Sequence, residues 1–141
     1  MTDAFLETLE IAAPPERVWA VMSAVESWPS WTPTVTSVEP LSRGAAGPGA
    51  RYRLRQPKLL PAVWEVTSWE PGRGFVWVSR NPGATAVGEH LVEPCAAGSR
   101  VTLRVRFEGF LAPLVARLAG RLTREYMSLE ARGLKAAVER R

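Results

Sequence analysis

The strongest constraint on this chain is a change of hydrophobic period near residue 110. Upstream, Val101, Leu103, Val105 and Phe107 alternate with Thr102, Arg104 and Arg106. A period of two marks a strand with one buried and one wet face. Downstream, Leu111, Val115, Leu118, Leu122, Tyr126, Leu129 and Gly133 step by three and four, with Arg117, Arg121, Arg124, Arg132 and Lys135 between them. That spacing predicts one long amphipathic helix. Its apolar stripe must be buried, and an apolar sheet face is the partner on offer.

The upstream chain supplies that sheet. Phe5 to Ile11 reads as a strand, and Pro14-Pro15-Glu16 then opens a short helix striped by Val18, Trp19, Val21 and Met22. Ser27-Trp-Pro-Ser-Trp31 breaks it, leaving room for a second short turn. Strands are expected at Val35 to Leu41, Arg51 to Gln56, Ala62 to Trp69, Phe75 to Arg80, Thr85 to Val92 and Arg100 to Phe107. Gly44 to Gly49, Pro57 to Pro61, Glu70 to Gly74, Asn81 to Gly83 and Pro94 to Ser99 separate them. Hairpin-length connections demand an antiparallel meander. The expected architecture is α+β, with about seven antiparallel strands curved around a C-terminal helix in a single domain, residues 1–141.

Composition narrows the function. The single Cys95 excludes an intramolecular disulfide and fits a reducing compartment. With His90 the only histidine, no zinc cluster is available, and no motif calls for a cofactor. Net charge is +4, from 18 basic and 14 acidic residues, but no run of five like charges marks a nucleic-acid partner. Met1 to Glu10 carries acids where a signal peptide carries a basic region, so a cytoplasmic protein is expected. The longest uncharged apolar stretch, Phe110 to Ala116, holds a proline and falls far short of a membrane span.

Ala13-Pro-Pro-Glu-Arg-Val-Trp19 after a first strand, then Trp28-Pro-Ser-Trp31, resembles the opening of the START-like, or SRPBCC, superfamily, closest to its polyketide cyclase/dehydrase-like branch. Trp64-Glu-Val-Thr-Ser-Trp-Glu-Pro71, Gly88-Glu-His90 and Gly98-Ser-Arg-Val-Thr102 extend the resemblance from about Phe5 to Val138. It implies a helix-grip fold with a deep hydrophobic cavity between sheet and helix. Lipid and hormone binders, aromatic cyclases and stress-protein activators share that fold, with no invariant catalytic motif.

Register propagation suggests the cavity lining. With Val101, Leu103, Val105 and Phe107 inward, pairing Val101 with Val92 points Val92, His90, Gly88 and Ala86 inward too. A tight turn at Asn81 to Ala84 then sets Trp77 opposite Gly88, a large side chain against a missing one. A one-residue slip would bury Glu89, Val87 and Leu91 instead, and both registers stay open. Trp64 and Val66 fit the inner face better than Glu65 and Thr67. Tyr52, Gln56, Trp64, Phe75, Trp77, His90, Phe107 and Tyr126 are thereby the candidate ligand-binding residues, unless their rings fill the core outright. Ser79 and Glu7 are further polar candidates, though Glu7 also reads as a solvated strand end.

His90 is either a satisfied core imidazole, a ligand-orienting group, or with Tyr126 a proton carrier. Cys95 has no activating neighbour in sequence. Arg51, Arg53, Arg55, Arg104 and Arg106 belong on wet faces. Lys58-Leu-Leu-Pro61 is apolar where a loop should be polar. Leu59 and Leu60 form either a gate or membrane-touching lip at the cavity mouth, or a packing surface against Leu111 and Leu114. Trp28 and Trp31 are expected to plug the opposite end. Three functions fit: binding of a small hydrophobic, aromatic or polycyclic molecule; a polyketide cyclase or dehydratase; or an interaction module of the stress-protein-activator kind. A monomer or homodimer suits each.

Overall fold

The computed structural model describes residues 4–140, so Met1 to Asp3 of the acidic N-terminal stretch and Arg141 lie outside the described residues. The elements run β1 (Ala4–Ile11), α1 (Pro15–Met22), a 3-10 turn (Val25–Ser30), β2 (Ser37–Pro40), β3 (Arg51–Arg55), β4 (Ala62–Glu70), β5 (Gly74–Asn81), β6 (Ala84–Cys95), β7 (Gly98–Glu108) and α2 (Ala112–Glu139). The seven strands form one curved sheet, ordered β1-β7-β6-β5-β4-β3-β2, with every neighbouring pair antiparallel. β2 to β7 are a meander. β1 closes onto β7, so α1 and the 3-10 turn carry the chain from one sheet edge to the other. This is the helix-grip architecture.

Pairing in the central hairpins sets the inner face. Trp77 stands opposite Gly88, Phe75 opposite His90, and Val92 opposite Val101. The alternative that buries Glu89 is excluded, because its carboxylate lies on the outer face 2.7 Å from Arg106 Nη1. Asn81 pairs with Ala84 around Pro82 and Gly83, whose φ of 79° suits a residue without Cβ. The expected Pro94 to Ser99 loop is shorter than its composition suggested. Pro94 pairs with Ser99 and Cys95 with Gly98, leaving Ala96 and Ala97 to turn. β2 is also shorter than Val35 to Leu41, since Val35 is buried in the connection beside Thr32 and Thr34, whose hydroxyls share a 2.8 Å hydrogen bond.

A register shift between Val66 and Ser68 interrupts β4. The extra residue of such a bulge resets side-chain parity. Trp64 and Val66 thus face inward, and so does Trp69 three residues on, its ring 5.4 Å from Phe75 and 5.0 Å from Trp19.

The helix departs from its expected stripe. Its buried positions are Ala112, Gly120, Met127, Ala131, Leu134 and Val138, whereas Leu118 is 77% exposed. Small residues hold the centre of the buried face because the backbone approaches the sheet closely there; a Cβ on Gly120 would lie 3.4 Å from the Phe5 ring. The leucines chosen by spacing flank that face. At its far end α2 is tied to the first strand and helix: Lys135 Nζ donates to Glu10 O at 2.8 Å, Arg17 Nη2 to Val138 O at 2.9 Å, and the Ala12 amide to Glu139 Oε2 at 2.7 Å.

Candidate functional site

Sheet and helix do not pack solid between them. A cavity of about 360 Å³ remains, within the roughly 300–1,000 Å³ usual for small-molecule sites. Its walls come from β3 to β7, the β3–β4 loop and the first two-thirds of α2. The deep end is aromatic. Trp28 is fully buried there, its Nε1 donating to Met22 O at 3.0 Å, with Trp77 at 5.3 Å and His90 at 5.4 Å between ring centres. Trp31 packs behind Trp28, the ring centres 5.6 Å apart and the planes tilted by 54°. At the other end Leu59, Leu60 and Pro61 edge the opening, and Leu60 is 87% exposed.

Of the residues named from sequence, Gln56, Trp64, Trp77, His90, Phe107 and Tyr126 line the cavity. Tyr52 and Phe75 do not. Both are buried in the layer behind it. Phe75 stacks flat on the His90 ring at 4.3 Å and 11°, and Tyr52 packs edge-on to Trp77 at 6.3 Å. Burial, with the Glu26 carboxylate adding, pushes the Tyr52 phenol above its ordinary value. Among the smaller polar candidates Ser79 lines the wall, while Glu7, half-buried opposite Leu103, does not. Cys95 is half-buried at the end of β6, outside the lining.

Two of the lining groups already have structural duties. Gln56 Nε2 donates to Thr34 O at 3.1 Å. The Tyr126 hydroxyl donates to Pro57 O and latches α2 to the β3–β4 loop. Burial, reinforced by Glu125, raises the Tyr126 phenol above its ordinary value. The latch engages the hydroxyl proton of Tyr126 with the Pro57 carbonyl.

The partner of His90 is instead Glu130. Glu130 Oε2 lies 3.3 Å from His90 Nε2, with the two side chains 18% and 7% exposed. His90 Nδ1 is buried without a hydrogen-bond partner, as is Trp64 Nε1. The carboxylate thus sits beside Nε2, while Nδ1 faces no partner. Glu130 was missing from the sequence-derived set. The signal was there: Leu122, Tyr126 and Glu130 step by four, so an acid sits on the helix stripe that carries two cavity residues. Two titratable groups in contact, in a mostly apolar cavity, can orient a ligand hydroxyl or carbonyl, or exchange a proton with it. Among the described residues no group of three His, Cys, Asp or Glu could hold a metal ion, and no helix is long and apolar enough to cross a membrane.

Known proteins share this frame. A START superfamily protein from Mycobacterium smegmatis superposes with a TM-score of 0.76 at 20% identity, covering 97% of each chain. The Zhui aromatase/cyclase of a Streptomyces species does so at 0.76 and 22% identity, over 98% of this chain and 94% of that one. A Thermus thermophilus protein gives 0.77 and 23%, over 96% of both. At such identities the likeness is one of fold. An uncharacterised protein of Mycobacterium tuberculosis is 26% identical over 102 residues, which is 70% of this chain but only 61% of that protein, so the chain spans about three-fifths of its curated relative. The model of the polyketide cyclase/dehydrase and lipid transport family matches residues 4–139. That match covers every element described above, and the chain belongs to this family.

Proposed function

We propose that the chain takes one small, largely apolar molecule, aromatic or polycyclic and polyketide- or lipid-like, into the cavity between sheet and α2. The observation that carries this reading is the 360 Å³ space with the His90–Glu130 pair on its wall. Apolar burial supplies the affinity, at about 25 cal/mol per Å². Trp64 and Trp77, 5.4 Å apart on one wall, offer faces for an aromatic ring. Gln56 and the His90–Glu130 pair hold the ligand's few polar atoms. A reducing, cytoplasmic setting suits the lone cysteine, and nothing in the proposal requires more than a monomer.

The test is binding of a hydrophobic fluorescent dye to the wild type, Gly88→Trp and Ala119→Trp, with circular dichroism to confirm folding. Both substitutions put an indole into the cavity from opposite walls. Dye binding lost in both supports an internal site; equal binding by all three folded proteins overturns it.

A second reading, a cyclase or dehydratase working in the same cavity, is favoured by one feature. The 3.3 Å contact between His90 and Glu130 is what acid/base chemistry on an enclosed chain requires. The aromatase/cyclase among the structural neighbours supports it by analogy of fold alone.

A further inference from the structure

The cavity mouth is rimmed by side chains that a globular surface does not ordinarily display. Leu60 is 87% exposed, Phe110 84% and Leu118 77%. They come from three segments, the β3–β4 loop, the β7–α2 connection and the first half of α2. Phe110 and Leu111 lie over the β5–β6 turn, where a Cβ on Gly83 would meet them at 3.1 and 2.7 Å. On α2 the exposed leucines sit one residue before cavity-lining positions, Leu114 before Val115 and Leu118 before Ala119. Leu60 lines the cavity, as does Asn81 two residues before Gly83, so Leu60 and the Phe110–Leu111 pair border the opening, with Leu114 and Leu118 on the exposed face of α2 beside it. One backbone feature marks it too. Lys58 is the only non-glycine residue with positive φ among the described residues, at 69°, in the loop that holds Leu59 and Leu60 out. A non-glycine residue in this region is held there at a cost that often accompanies function.

Charge distinguishes the occupants. From Gly109 to Arg124 the chain has three arginines, Arg117, Arg121 and Arg124, and no acid. This segment carries +3 of the chain's +4. Elsewhere the arginines of the outer sheet face meet carboxylates, as Arg53 does Glu39, Arg80 does Glu65 and Arg106 does Glu89. Among the described residues Arg117 and Arg121 meet none, and Arg124 lies instead over the Phe5 ring at 4.8 Å. Isolated protruding apolar side chains beside unpaired arginines suit a soft anionic surface. Leucines and Phe110 can enter the headgroup layer one by one, while the arginine heads stay at phosphate depth.

We propose that the cavity mouth docks on an anionic phospholipid bilayer, with Leu60, Phe110, Leu114 and Leu118 inserted and Arg117 and Arg121 against the headgroups. A hydrophobic ligand then moves between bilayer and cavity without crossing water. Docking itself does not depend on the cavity being filled, so it is tested separately from ligand binding.

The experiment is sedimentation with vesicles of phosphatidylcholine alone and of phosphatidylcholine with phosphatidylserine. The wild type is expected to partition onto the anionic vesicles only, and less so as salt rises. Leu60→Ser with Leu118→Ser should lower partitioning by about tenfold or more. Arg117→Gln and Arg121→Gln should each lower it by about fivefold. Leu6→Ser, at an exposed leucine of β1 on the outer sheet face, should leave it unchanged. As a second readout, a polarity-sensitive fluorophore on Leu60→Cys, in a Cys95→Ser background, should shift to the blue with anionic vesicles. The proposal is overturned by absent binding to the anionic vesicles, by equally strong binding to the neutral ones, by equal losses in the Leu6 variant, or by an unshifted fluorophore. A dimer that dissociates in the Leu60/Leu118 variant, without vesicle binding by the wild type, gives this face to a second copy and overturns it as well.

Discussion

Trp77 stands across the β5–β6 ladder from Gly88, and the indole fills the room that a side chain there would take. A Cβ built on Gly88 lies 2.9 Å from Trp77 Nε1 and 3.7 Å from the Trp64 ring. The two tryptophans that wall the cavity are thus held in place by an absence. Gly88→Ala should push the Trp77 ring toward the cavity and cost about 1–3 kcal/mol as an overpacked site. Urea unfolding reads the loss, and dye affinity should fall with it. An alanine variant as stable as the wild type, with unchanged affinity, contradicts this account of the wall.

Glu130→Gln separates the two readings of the cavity. The amide keeps shape and volume but removes the charge and the proton-accepting oxygen next to His90. For a carrier, dye affinity should change by less than about tenfold, since apolar contact provides most of it. For an enzyme, turnover of a cyclisable substrate should drop by about 10²–10⁴ while binding persists. Turnover that survives in Glu130→Gln removes this pair from the chemistry.

Helix α2 holds two glycines for which helix propensity makes the same forecast and packing makes opposite ones. Alanine is preferred over glycine inside a helix by about 1 kcal/mol. At Gly120 the new Cβ meets the edge of the Phe5 ring at 3.4 Å and the end of the flexible Arg124 side chain at 3.7 Å, and both can give slightly. Gly120→Ala should therefore be neutral to stabilising, by up to about 1 kcal/mol. At Gly133 the Cβ would fall 2.3 Å from the Trp31 carbonyl oxygen, a backbone atom that cannot step aside. Gly133→Ala should destabilise by about 1–3 kcal/mol and loosen the Trp28–Trp31 end of the cavity. Thermal melts of the pair decide the matter by sign alone, and a stabilising Gly133→Ala refutes the close approach.

Strand faces were readable because alternation is enforced locally, residue by residue. Val101 to Phe107 marked the inner face of one strand, and the hairpins at Pro82-Gly83 and Ala96-Ala97 carried it to His90, Gly88 and Trp77 in one of the two registers open to sequence, the one the structure adopts. The β4 bulge broke that chain of inference, and Trp69 went unplaced because nothing local announces an extra residue between Val66 and Ser68. The helix was readable as a helix but not in its facing. Its buried face includes Gly120 and Ala131, small residues that hydrophobic periodicity underweights, beside Met127, Leu134 and Val138, while Leu114 and Leu118 are exposed. Glu130 was hidden for a related reason. A charged residue on a helix is usually solvated, and only the approach of His90 from a strand forty residues earlier gives it a partner.

The far end of α2 carries a pH-dependent clasp. Glu139 Oε2 accepts from the Ala12 amide at 2.7 Å and from Lys135 Nζ at 2.7 Å, while the same Lys135 ammonium donates to Glu10 O. The amide bond first, then Lys135, hold the Glu139 carboxyl below its ordinary value of 4.5, against a smaller opposing effect of desolvation. A carboxyl lowered on folding binds its proton less tightly in the native state than in the unfolded one. Its contribution to stability is therefore present above 4.5 and disappears as pH falls through the lower native value. Glu139→Gln should be less stable than the wild type at neutral pH, and the two should converge in the acid limb. Urea midpoints across that range measure the gap. A gap that is constant with pH means the clasp works through its neutral hydrogen bonds alone, and the carboxylate charge adds nothing.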